Sequence, residues 1–134
     1  MTTPAWSQAP VRALAYMGDA VYELHVRERT LRAAAAHVDA LHRATVKHVS
    51  ATGQAALAQR ILPHLTEEES DVFRRARNNK GGGRRQDLAA YKLSTAFEAV
   101  LGYLYLKPDQ PRLQHLLALA DELTNDPKEN QDAQ

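Results

Sequence analysis

Two stretches of this chain carry acids where acids are costly. In "AYMGDAVYE", residues 15–23, Asp19 follows Gly18 inside an apolar run; on a helix its neighbours three and four positions away are Ala15, Tyr16, Tyr22 and Glu23. In "STAFEAVLGYLYL", residues 94–106, Glu98 lies between Phe97 and Ala99 in a nearly uncharged run, with Ser94 and Gly102 one turn before and after it. Glycine inside a helix costs roughly 1 kcal/mol relative to alanine, and aspartate prefers helix ends, so helix stability does not account for the Gly-Asp pair. A carboxylate withdrawn from water needs a partner. Two arrangements meet that need. Each acid can bond locally, to a tyrosine hydroxyl or to an arginine such as Arg12, or the two can share one cation.

The elements that must position these acids read as helices. Apolar residues recur with a helical period almost throughout, and no run of alternating apolar and polar residues suggests a strand, so the expected class is all-α. A first helix should start near Pro10 and run through "VRALAYMGDAVYELHVRERTL", with Leu14, Met17, Val21 and Leu24 at core spacing. A second is expected from Asp39, as its cap, through "ALHRATVKHVSATGQAALAQRIL" to the break at Pro63. Thr66 and Glu69 form a capping-box pattern that opens a third helix, to about Asn78. Three consecutive glycines make "NNKGGGRRQD", residues 78–87, a flexible basic loop. A fourth helix covers about 88–106, and Pro108 and Pro111 set off a last one around "RLQHLLALADEL". Residues 1–123 are expected to form one domain and residues 124–134 a disordered tail.

Composition narrows the chemistry. A chain of 134 residues with 44% hydrophobic and 25% charged residues has room for one core. It contains no cysteine, which excludes disulfides, thiolate metal sites and cysteine nucleophiles, so any metal must be held by oxygen or imidazole. No stretch approaches the roughly 18 apolar residues of a membrane span, and the N-terminus lacks the pattern of a signal peptide, so no membrane association and a cytoplasmic location are expected. His37, His42 and His48 fall on different helix faces, no H-E-x-x-H pair or G-x-S-x-G elbow occurs, and "KGGGRR" lacks the features of a Walker loop. The formal net charge is only +1, but its distribution is uneven: Arg74, Arg75, Arg77, Lys80, Arg84, Arg85 and Lys92 face a single acid, Asp87, over that segment. A loop of this kind suits phosphates and 2′-hydroxyls of duplex RNA, or is merely a solvated charged surface.

"YMGDAVYE" resembles the signature helix of the ribonuclease III family, and "STAFEAVLGYLYL" resembles its second acidic motif, D-x-x-E-A-x-x-G. Together with "RARNNK", these stretches are most similar to the Mini-III branch, which consists of the catalytic domain without a double-stranded-RNA-binding domain. The resemblance implies a single ribonuclease III-like helical endonuclease domain, working as a homodimer. It implies Mg²⁺-dependent hydrolysis of double-stranded RNA that leaves 5′-phosphates, with Mn²⁺ able to substitute, in maturation of precursor large-subunit (23S) ribosomal RNA. Asp19 and Glu98 match the family's metal ligands and catalytic acids, while Arg74, Arg75, Arg77, Lys80, Arg84 and Arg85 are the expected RNA contacts. Arg12, Ala15 and Thr95 stand where the larger enzymes carry further acids, which leaves fewer ligands per metal. Glu23, one turn beyond Asp19, is a candidate for the outer shell or for a helix-surface pair with Arg27. The competing class is a catalytically silent dimer that binds structured RNA as an assembly factor.

Overall fold

The computed structural model describes residues 9–33, 37–79, 88–107 and 110–124. These form six α-helices and one short 3-10 turn: α1 Val11–Ala33, α2 Val38–Val49, α3 Ala51–Ile61, the turn Leu62–His64, α4 Glu67–Arg77, α5 Leu88–Leu106 and α6 Gln110–Thr124. The all-α expectation holds among the described residues. Lys80, Arg84, Arg85 and Asp87 in the glycine loop, together with residues 125–134 of the expected tail, lie outside them; Thr124, expected to begin that tail, is the last residue of α6.

α5 is the central element because its sequence is apolar on more than one face. It packs against α1, α3, α4 and α6, and its contact with α1 is the most extensive in the fold. From Ser94 onward it buries Ala96, Phe97, Ala99, Val100, Leu101, Tyr103 and Leu104. α1 meets it with Val11, Leu14, Ala15, Gly18, Tyr22 and Val26, a stripe at three-, four- and seven-residue spacing. The ring of Tyr22 packs edge-on against Phe97, with centroids 5.1 Å apart.

Two glycines set the depth of this contact. A Cβ at Gly18 would overlap the backbone carbonyl oxygen of Glu98, and one at Gly102 would overlap that of Leu14. The helices therefore touch backbone to backbone, and only residues without a side chain fit at either point.

Polar contacts tie the periphery to this centre. His25 Nε2 lies 2.9 Å from Asp121 and Arg29 donates to the same carboxylate at 3.2 Å, linking α1 to α6. Thr66 and Glu69 complete the expected capping box of α4. Glu69, almost wholly buried, also accepts two hydrogen bonds from Arg112, each 2.7 Å. Burial raises its carboxyl, but these bonds more than offset it and leave Glu69 below the ordinary carboxylate range.

Three expectations need correction. The single helix from Asp39 to Pro63 is two helices, broken at Ser50, whose extended backbone ends α2 and whose hydroxyl caps α3 by accepting from Gly53 N at 3.2 Å. His37, not Asp39, is the residue that precedes α2, and Asp39 lies in its first turn. Leu24 is 69% exposed, because the buried stripe of α1 runs through Tyr22 and Val26 instead.

Gly102→Ala should lower stability by about 3 kcal/mol, at the upper end of overpacking costs, because the overlap is with backbone that cannot rotate away. Urea unfolding would check this; an unchanged midpoint would mean that the two helices can separate at no cost.

Candidate active site

The close crossing of α1 and α5 decides where the two acids meet. Gly18 packs on the backbone of Glu98 itself, so Asp19, the next residue along α1, is carried to the same point. The two carboxyl groups line the same cleft, near enough for Asp19 to act on the Glu98 carboxyl. Asp19 is exposed and Glu98 partly buried, so the pair opens to solvent from one side only. They line a cleft of ≈ 420 Å³ together with Arg12, Ala15, Tyr16, Tyr91 and Thr95. Tyr16 stands 79% exposed at its edge.

Burial, followed by the hydrogen bond and the charge of Asp19, pushes the Glu98 carboxyl from 4.5 up to about 8, against a hydrogen bond from Gln54 that lowers it. Glu98 thus keeps its proton at neutral pH. A cation held by the two carboxyls would take that proton's place. The donors are hard oxygens, the chemistry of Mg²⁺ or Mn²⁺. Among the described residues no group of three or more histidine, aspartate or glutamate side chains gathers around one gap. A cation here would draw on two protein carboxylates and complete its shell from water and substrate.

The cleft continues into a crevice lined by Arg12, Ala76, Asn79, Tyr91, Lys92 and Thr95. Arg12 donates to the Asn79 side chain at 3.3 Å, joining the start of α1 to the end of α4. Thr95, in place of an acid, turns its hydroxyl back to the Tyr91 carbonyl at 2.9 Å. One half of this surface is therefore acidic and the other basic.

The remaining sequence candidates fall elsewhere. Glu23 is not among the residues lining the cleft; it lies 3.6 Å from Arg27, one turn along α1. Arg74 and Arg75 both pair with Asp71, at 2.8 and 3.3 Å, while Arg77 is exposed at the end of α4. A concavity of ≈ 800 Å³ at the start of α4 is also rich in acids, but Glu68 pairs there with Lys107, Glu69 with Arg112 and Asp71 with Arg74. Sequence reasoning missed Gln54, which is 1% exposed and bonds to Glu98. The available signal was an amide on the core face of α3, in register with Leu57, Ala58 and Ile61.

The Ribonuclease III domain family matches residues 12–109, which span both acids. Curated relatives agree. A Mini-ribonuclease 3 of Symbiobacterium thermophilum is 49% identical over 83% of this chain and 87% of its own length. A Mini-ribonuclease 3 of Gloeobacter violaceus is 53% identical over 84% of this chain and 82% of its own. The chain belongs to the ribonuclease III family, in its Mini-ribonuclease 3 branch. A crystal structure of a Fusobacterium nucleatum protein shares the fold with a TM-score of 0.77 at 27% identity, covering 86% of this chain and 93% of that one.

The raised Glu98 carboxyl fixes a pH dependence. Between 4.5 and about 8 the folded protein holds a proton that the unfolded chain has released, so the Glu98 contribution to stability is full below that window and lost as pH rises through it. In EDTA, urea midpoints measured from pH 5 to 9 should fall across this range in the wild type and fall less in Glu98→Gln. Parallel profiles for the two proteins would show that the Glu98 carboxyl is not raised in the folded state.

Proposed function

We propose that this protein is a Mg²⁺-dependent endoribonuclease that hydrolyses phosphodiester bonds in double-stranded RNA and leaves 5′-phosphates. The observation that carries this reading is the Asp19–Glu98 pair, two carboxyls brought into contact by the α1–α5 crossing at the open side of a cleft. Asp19 and Glu98 would hold the cation, and Mn²⁺ would substitute, since both ions take carboxylate and water ligands. When bound, the cation supplies an acidified water and neutralises charge developing on the phosphate. The protein's own part is to hold both carboxylates in place, to give up the Glu98 proton, and to align the duplex.

Alignment falls to the basic half of the surface. Arg12 and Lys92 border the cleft, and Arg74, Arg75 and Arg77 lie on α4. Lys80, Arg84 and Arg85 extend the same basic segment in sequence. Phosphate and 2′-hydroxyl contacts of this kind recognise a duplex by shape more than by sequence. Glu23, 3.6 Å from Arg27, remains a candidate for the outer shell.

A homodimer fits the apolar surface. Exposed Leu24 and Tyr105 border a groove with Val21, Leu113 and Leu117 that a second copy would cover. Two such sites on one duplex would cut both strands. Precursor large-subunit ribosomal RNA in the cytoplasm is the proposed substrate, and no helix among the described residues is long and apolar enough to cross a membrane.

Long duplex RNA should be cut by the wild type with Mg²⁺ and left intact with EDTA. Asp19→Asn and Glu98→Gln should each lower the rate at least about a hundredfold without loss of fold. Wild-type protein that binds duplex but never cuts it with either metal would instead favour the silent RNA-binding assembly factor. In the Glu98→Gln background, Arg12→Ala should weaken duplex binding and reduce the slope of log affinity against log salt by about one. An unaltered slope would remove Arg12 from the RNA face.

A further inference from the structure

Gln54 has an amide with no free hydrogen-bonding group. Its Oε1 accepts at 2.6 Å from the Oγ of Ser94, one turn before Glu98 on α5, and its Nε2 donates to the Val49 carbonyl at 3.0 Å. With two N–H donors on the amide, one serves Val49 and the other is left for the Glu98 carboxyl, which Gln54 lowers as a neighbouring donor. The residue is 1% exposed and shares the core face of α3 with Leu57, Ala58 and Ile61, where an apolar side chain would pack without any need for partners.

The break at Ser50 makes this arrangement possible. In a continuous helix the Val49 carbonyl would accept from Gly53 N. Here Gly53 N turns to the Ser50 hydroxyl at 3.2 Å, and the Val49 carbonyl is left to Gln54. The end of α2 and Ser94 on α5 thus hold the amide from two sides, one turn from Glu98, and leave one N–H unused by either bond.

We infer that Gln54 is a positioning residue, which fixes the Glu98 carboxylate in the orientation that, with Asp19, receives a divalent cation. This rests on the two-carboxylate cation site of the proposed function. A residue that orients a ligand from behind acts on metal affinity, whereas a residue that only fills the core acts on stability alone.

The test is Mn²⁺ binding to the full chain without RNA, followed by electron paramagnetic resonance of the free ion, alongside circular dichroism and thermal unfolding. Wild type should bind Mn²⁺ and Asp19→Asn should bind it far more weakly. Gln54→Met, close in size, should fold yet bind Mn²⁺ about ten- to a hundredfold more weakly, while its affinity for duplex RNA in EDTA stays unchanged. Ser94→Ala keeps the amide but frees one side of it, and should weaken Mn²⁺ binding by a smaller factor; it carries the test if Gln54→Met does not fold. A folded Gln54→Met that binds Mn²⁺ like the wild type, or, failing that variant, a Ser94→Ala that does, overturns the inference and leaves the cation site standing. Wild type that binds no more Mn²⁺ than Asp19→Asn overturns the site and the inference together.

Discussion

The structure depends on one close approach, the contact of α1 and α5 through Gly18 and Gly102. Apolar burial alone would bring these helices together, but at the separation that side chains set, commonly 8–10 Å between axes. Removing the side chains at two points one helical crossing apart lets the backbones meet. The consequence is chemical. Asp19 and Glu98 sit beside the glycine contacts, so the depth of packing fixes how near the carboxyls come. The glycines thus serve the site by way of the fold, and the helix propensity they sacrifice is recovered in the α1–α5 contact.

Two acids in contact oppose folding unless something neutralises them. Here burial first, and then the hydrogen bond and charge of Asp19, push the Glu98 carboxyl up to about 8, so that a proton does so. Most of the surroundings are neutral: Gln54 offers an amide, Ser94 a hydroxyl, and Tyr91 and Thr95 line the cleft without charge, while Arg12 stands in the same cleft and donates to Asn79. An arginine paired with Glu98 would have settled the electrostatics and closed the site. The Glu69–Arg112 pair shows that alternative within the same chain, a buried carboxylate with a bidentate guanidinium that holds its charge and has no capacity left for a cation. The contrast separates Glu69, an acid that ties helices together, from Glu98, which the proposed function makes a cation ligand.

Much of this was legible in the sequence, for reasons that differ by element. The Thr66–Glu69 box and the span of α5 are local signals, set by capping chemistry and by an unbroken apolar run. The two candidate acids stood out because their types contradict their surroundings, and the structure brings them to one cleft. The Ser50 break was not legible, because "VSATGQAALAQ" has helical periodicity on both sides; the interruption is held by the Ser50 hydroxyl, which caps α3 through Gly53 N, and by the Gln54 amide, which takes up the Val49 carbonyl. Leu24 misled for a related reason. Its spacing suits a core position, but Gly18 rotates the buried stripe of α1 toward Tyr22 and Val26, and periodicity alone does not reveal which of two apolar faces a central helix will take.

A site with two protein ligands has a thermodynamic consequence under the proposed function. The cation would be held weakly by the protein alone, because two carboxylates and several waters form an incomplete cage, and part of the binding free energy goes to displacing the proton from Glu98. A substrate phosphate oxygen would supply a further ligand, so RNA would raise the affinity for the cation and, by reciprocity, the cation would raise the affinity for RNA. Arg12 and Lys92, beside the cleft where acids might otherwise add ligands, push the balance the same way by favouring phosphate over free metal. Such an arrangement assembles its full charge only when duplex and cation are both present, and so ties the chemistry to the substrate instead of to the metal alone.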